Sequence, residues 1–290
     1  MKQAFLTINF RDERASKLGL CNEIINTYLQ QGLRLTLRQL YYQLVVANAI
    51  PNREQAYKSL GKLVSDARLA SLVDWDAIED RGRVPRVPGE FDDLADLVDA
   101  ALRSYRLPRW DGQDHYIELW VEKDALSGVL APLASEYHVT LMVNRGYSSQ
   151  SAMYEAAQRF NGHSDKKCVL LYLGDHDPSG EDMVRDIADR LRMLAYHTPI
   201  EVVKVALTWD QVQMYNPPPN PTKITDSRSN GYIAKYGDSC WEVDALRPDV
   251  LQTLIRDAIV EHLDEALMDE VKDREEADKA KLTEFVRGLI

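Results

Sequence analysis

Little in these 290 residues suggests a secreted, membrane or zinc protein. Only three cysteines occur, Cys21, Cys168 and Cys240. They are scattered without metal-ligand spacing and odd in number, which fits reduced core thiols of a cytosolic protein. No apolar run approaches membrane-spanning length, and the opening MKQAFLTINFRDE is charged too early for a secretory signal. A glycine-rich phosphate loop is missing too, so nothing in the chain itself promises nucleotide hydrolysis. There is no internal repeat and no long low-complexity tract. Basic charge is scarce overall, with 35 Lys+Arg against 46 Asp+Glu and a net charge of −11. That deficit argues weakly against a nucleic-acid binder, but it is uneven. Residues 1–86 carry +4 and the remaining 204 carry −15, a mildly basic front and a strongly acidic rear.

What is present is an ordinary globular composition, 45% hydrophobic and 28% charged, long enough for two domains. Apolar residues at helical spacing predict a helix over Ala15–Gln31 ended by Gly32, and another from Leu37 with Thr36 as its N-cap. A third runs over Arg53–Leu72, beyond the Pro51-Asn52 break. Three helices with tight connections match a helix-turn-helix layout, and the turn-rich stretch Val73–Val87 could supply the hairpin of a winged variant. Arg53, Lys58, Lys62 and Arg68 put cations along the third helix, either a phosphate-binding face or a solvated one. Turn and breaker residues cluster over 88–112, around an acidic helix from Phe91 to Leu102, and the segment reads as a connector.

From His115 onward strands and helices alternate. Strands are expected at Tyr116–Val121, Val139–Val143, Cys168–Leu173 and Glu201–Leu207, which predicts a parallel sheet with helices on both faces. The proline-rich 216–221 loop reads as a rigid connector, CWEVDAL (240–246) as an edge strand or helix entry, and Pro248–Ile290 as helical and very acidic.

Three strand ends are polar: Glu122-Lys123, then Arg145-Gly146-Tyr147, then Asp175-His176-Asp177. Ligands of open α/β sheets bind beyond the carboxyl ends of strands. Asp175 and Asp177 stand two apart, which turns both carboxylates to one side of an extended chain. With Glu122 they place three carboxylates at one sheet edge, where their mutual repulsion calls for a cation. Oxygen-only ligands favour magnesium, with manganese as the alternative. The bland alternative is that Asp-x-Asp-Pro-x-Gly is turn chemistry with an aspartate capping a helix. Glu118 shares a side with Glu122 but lies inside the strand and ranks below it.

The pattern Glu122 … Asp175-His176-Asp177-Pro178-Ser179-Gly180, with Arg145-Gly146-Tyr147 between, resembles a Toprim domain of the topoisomerase VI A-subunit family. The upstream Arg38-Gln39-Leu40-Tyr41-Tyr42 is similar to that family's Arg-x-x-Tyr/Phe-Tyr motif. The resemblance spans roughly residues 15–245 as an order of motifs, and it implies an α/β architecture. A winged-helix (helix-turn-helix) DNA-binding domain over 1–87 and a connector over 88–112 would precede a Toprim domain over 113–290. That last domain would have a parallel, Rossmann-like sheet and an acidic helical extension.

The resemblance further implies that Tyr42 attacks a DNA phosphodiester, leaving a 5′-phosphotyrosyl bond, with Arg38 stabilising the transition state. Glu122, Asp175 and Asp177 would hold Mg2+ (or Mn2+). Lys123 and Arg145, with Lys62 and Arg68 of the helical domain, would contact DNA. His176 flanks the site, though solvation is its plainer role. Tyr41, on another helix face, reads as core. The family's tyrosine works with the metal site of a second protomer, so a homodimer is implied. Strand passage would need a separate ATPase subunit, and the expected location is the cytoplasm, associated with the nucleoid. The chain is shorter and more acidic than the usual A subunit, closer to a compact stand-alone type. Two other functions fit the residues: a Toprim nuclease using metal-activated water, and a non-enzymatic DNA-binding or assembly protein whose acids form structural salt bridges.

Overall fold

A computed structural model describes residues 2–78, 88–144, 146–222 and 225–287. Helices α1 (Asp12–Gln30), α2 (Leu37–Val46) and α3 (Glu54–Leu69) form where the apolar spacing puts them. Thr36 does cap α2. Its hydroxyl accepts the Gln39 N–H while the Gln39 side chain accepts the Thr36 N–H, a reciprocal capping box. Gly32 leaves α1 with φ +73°, a left-handed conformation that suits glycine. The three helices share a core of Leu18, Ile25, Leu40, Leu44, Leu60 and Val64, joined by both tyrosines of α2. The hairpin expected over 73–87 falls largely on residues 79–87, outside the described residues.

Helix α4 (Leu94–Ser104), capped by the Asp93 carboxylate, leads to a second layer of structure. There β1 (His115–Val121), β2 (Thr140–Val143), β3 (Lys167–Leu173) and β4 (Ile200–Ala206) form one sheet in the order β2-β1-β3-β4, every pair parallel. The chain is thus mixed α/β with a four-stranded parallel sheet. Alternation along the strands sorts side chains to two faces. Leu119, Val121, Leu171 and Leu173 pack under α5 (Ser127–Glu136) and α10 (Pro248–Val260). Trp120, Leu170 and Tyr172 face α6 (Gln150–Asn161) and α7 (Pro178–Leu194). Both faces are covered, as contiguous apolar strands require.

The sequence does not predict α8 (Trp209–Tyr215), α9 (Ser229–Tyr236) or β5 (Asn220–Pro221), which pairs antiparallel with β6 (Ser239–Cys240) at the start of the expected 240–246 edge strand. The acidic C-terminal stretch divides into α10 and α11 (Glu265–Arg287). Glu275 of α11 is buried and grips Arg109 through two 3.0 Å bonds, tying this helix to the segment before β1. No described helix is long and apolar enough to cross a membrane.

Candidate active site at the sheet edge

Register brings the strand ends together. Val121 pairs with Val143 on one side and Leu173 on the other, so β1, β2 and β3 finish level. The pairing continues past the strands, with the Glu122 N–H donating to Leu173 O and Gly174 N–H to Ala206 O. Glu122 and the Asp175-His176-Asp177 loop therefore emerge side by side, and a Glu122 carboxylate oxygen accepts the Asp175 N–H at 3.1 Å.

The loop is tightly built. A Cβ on Gly180 would stand 2.2 Å from the Asp175 carbonyl oxygen, so only glycine fits there. Asp177 caps α7, its Oδ1 accepting the Gly180 N–H at 2.6 Å and the Ser179 hydroxyl at 2.9 Å. The helix-capping use of this aspartate is thus realised, alongside its place at the strand ends. Asp175 is buried, and its Oδ1 accepts from Lys123 Nζ at 2.9 Å and the Val243 N–H at 2.9 Å. Lys204 of β4 donates to the Asp175 carbonyl at 2.9 Å and to Glu181 at 2.5 Å.

His176 is not solvated, as its place in the sequence suggests, but buried. It is 1% exposed, with rings of Trp209, Tyr232, Tyr236 and Trp241 around it and Nδ1 2.6 Å from the Tyr232 hydroxyl. Burial pushes its pKa down to about 4, so the ring is neutral at physiological pH.

The electrostatics of the acids divide by partner. Burial raises the Asp175 carboxyl to about 7 against the pull of Lys123, and the Glu122 charge adds to the rise. Glu122 is raised too, first by burial and in part by the nearby Asp177. Among the described residues no three His, Cys, Asp or Glu side chains are gathered as a ready metal-ligating group. The physical reason lies in the partners: Asp175 is turned onto Lys123, and Asp177 onto its helix cap. The donor set still fits a hard divalent cation, being all oxygen and holding one buried and two half-buried carboxylates that repel one another.

Lys123 sits among Asp175, Glu242 and Asp244, its Nζ at 2.9, 2.9 and 3.1 Å from their oxygens. Burial disfavours its charge, but the three carboxylates more than offset that and raise its pKa. Arg38 reaches the same two acids, through an ion pair with Glu242 and a 3.1 Å contact from Nε to Asp244. Burial pushes Glu242 up, but Lys123 and Arg38 dominate and hold it at about 2. Neither Glu242 nor Asp244 stood out in the sequence, and a strand-like CWEVDAL gave no periodic signal for them.

Tyr42 lies on the face of α2 that its spacing from Arg38 requires, with the guanidinium carbon 5.9 Å from its ring centre. It is 3% exposed and packs in the three-helix core beside Tyr41, whose hydroxyl donates to Asn52 at 2.9 Å. Burial, then Glu242 and Asp244, raise the Tyr42 phenol above its ordinary value, opposed by Arg38 and an Asn220 hydrogen bond. A cavity of about 460 Å³ opens onto this spot, lined by Arg38, Tyr42, Tyr57, Asn220 and Glu242 among others.

The expected DNA-contacting cations fare differently. Lys62 is exposed on α3. Arg68 is instead used internally, donating to the carbonyls of Trp75 (2.7 Å) and Ile78 and covering the Trp75 ring. Lys123 is committed to carboxylates, and Arg145 lies outside the described residues. Glu118 is fully buried and spoken for, bonded by Arg159 at 2.7 and 2.8 Å, by Trp120 and by Tyr116.

Set against known proteins, this chain matches no family's sequence model, and no curated protein matches it.

Proposed function

We propose that this chain cleaves DNA by tyrosine transesterification in the manner of a type IIB topoisomerase A subunit. On this reading α1–α3 form a winged-helix DNA-binding domain and the parallel sheet is that of a Toprim domain. One observation carries the reading. The helix bearing Tyr42 is ion-paired through Arg38 to the same two carboxylates that hold Lys123 against Asp175. The nucleophile's helix and the acidic strand ends thus belong to a single network.

The chemistry follows from the residues. The Tyr42 oxygen attacks phosphorus, the P–O3′ bond breaks, and the product is a 5′-phosphotyrosyl chain end with a free 3′-hydroxyl. The phenol gives up its proton in the process and the departing 3′-oxygen gains one. Arg38 stabilises charge on the phosphoryl oxygens in the transition state. Glu122, Asp175 and Asp177 would hold a magnesium ion, which supplies charge stabilisation to a phosphoryl or leaving oxygen. Tyr42 is protonated and covered in the arrangement seen, a resting form from which DNA must draw it. Double-stranded DNA is the substrate, in a homodimer, with any strand passage left to a separate ATPase subunit.

A second reading, a metal-dependent nuclease in which Tyr42 is structural, is favoured by one observation: that hydroxyl is buried and its pKa is raised. Supercoiled plasmid incubated with protein and Mg2+ separates them. Transesterification leaves protein on 5′ ends and loses all cleavage with Tyr42→Phe. A nuclease gives free ends insensitive to Tyr42→Phe and abolished by Asp175→Ala. A protein that binds DNA without Mg2+ and never cuts it is neither.

A further inference from the structure

The segment Trp241–Leu246 lies where the two cores meet. Val243 and Leu246 pack in the sheet core, and Ala245 packs among the helices α1–α3. The same segment is clamped to the acidic loop, for Trp241 and His176 exchange backbone hydrogen bonds of 2.8 and 2.9 Å. The Val243 N–H then reaches the Asp175 carboxylate. On either side of Val243 stand Glu242 and Asp244, each bridging Lys123 and Arg38. A few residues therefore fix the Asp175 loop by backbone, and the Tyr42 helix by charge.

Ion pairs out of water are poor sources of net stability, because desolvation takes back much of the attraction. Asp244 is fully buried and Glu242 largely so, yet both keep their charged partners. What such a network does supply is geometry. Arg38 keeps 43% of its side chain exposed while both carboxylates hold it, so it is aimed and still accessible to a phosphate. An error of about 1 Å in placing such a group costs on the order of 100-fold in rate.

Resting on the cleavage reading above, we infer that Glu242 and Asp244 are positioning residues of that reaction. They touch neither the phosphodiester nor the nucleophile in this role. They hold the Arg38 guanidinium and the Lys123 ammonium in register, and so set the Tyr42 helix against the Asp175 strand end.

The test is a double-variant cycle on the single-turnover rate of protein–DNA adduct formation, measured on a duplex oligonucleotide with Mg2+. Glu242→Gln lowers the rate by about 10-fold or more while the half-saturating DNA concentration stays within about threefold. In an Arg38→Gln background the same change adds less than about threefold, because its effect passes through Arg38. A Glu242→Gln penalty that multiplies fully onto Arg38→Gln, or an unchanged rate, overturns the inference. Asp244→Asn with Lys123→Gln repeats the cycle should Glu242→Gln unfold the chain. A wild-type chain that forms no adduct defeats the cleavage reading and this inference together. A wild-type chain that cuts, with an additive cycle, defeats this inference alone.

Discussion

Arg38 Nε lies 3.1 Å from Asp244 Oδ2, joining the helix that carries Tyr42 to the segment that holds the Asp175 carboxylate. This pairing makes the protein more than a helical domain followed by a sheet. Its consequences can be measured on stability as well as on DNA.

Glu242 and Asp175 respond to pH in opposite directions. The folded state holds Glu242 at about 2, below its ordinary 4.5, so its ionised form favours folding. That contribution is present above the unfolded pKa and is lost as pH falls through about 4.5 toward 2. Glu242→Gln should therefore lower stability by about 1–3 kcal/mol at pH 7 and by little near pH 2. Chemical denaturation at a series of pH values reads it.

Asp175 has the reverse sign. Its folded pKa is raised to about 7 from 3.8, so stability is greatest at low pH and is lost as pH rises through about 7. Asp175→Asn keeps an acceptor for the Val243 N–H and removes the buried charge. The variant should unfold at a higher temperature than the wild type at pH 8, by several °C, with the gain vanishing below about pH 4. An unchanged or lower Tm at pH 8 contradicts the assignment of burial as the dominant effect.

Arg159→Ala leaves the Glu118 carboxylate buried in the sheet with only the Tyr116 and Trp120 donors. A buried charge stripped of its counter-ion costs about 3–5 kcal/mol, so Tm should fall by roughly 5–8 °C. The double variant Arg159→Ala/Glu118→Gln should recover most of the loss in a thermal melt.

Gly180→Ala places a methyl carbon 2.2 Å from the Asp175 carbonyl oxygen, a backbone atom also engaged by Lys204. The loop must move. A loss of about 2–4 kcal/mol is expected, together with loss of Mg2+-dependent cleavage. Calorimetry and the plasmid assay report the two effects separately.

The sheet and the acidic strand ends were legible because they are local. Runs such as Cys168–Leu173 are apolar throughout, and a strand end is marked by the first polar residue after the run. The Thr36 cap was legible for the same reason. What was not legible depends on distant partners. His176 looks like any polar loop residue until Trp209, Tyr232, Tyr236 and Trp241 close around it. Glu242 acquires its part only by meeting Arg38, 204 positions away. Arg68 read as a surface cation, yet the carbonyls of Trp75 and Ile78 draw it inward.

The proposed homodimer has its own test. When Tyr42→Phe and Asp177→Ala chains, each expected to be inactive alone, are mixed, a tyrosine acting at its partner's acids restores cleavage in the mixed dimer. Chains that act on their own acids stay inactive in the mixture, and titrating the ratio of the two variants shows which holds.

The central claim is tested most directly on supercoiled plasmid with Mg2+, half of each reaction being digested with protease before electrophoresis. Cleaved DNA should enter the gel only after proteolysis, carry blocked 5′ ends, and disappear with Tyr42→Phe. Cleaved DNA that runs freely without protease and persists with Tyr42→Phe would contradict it.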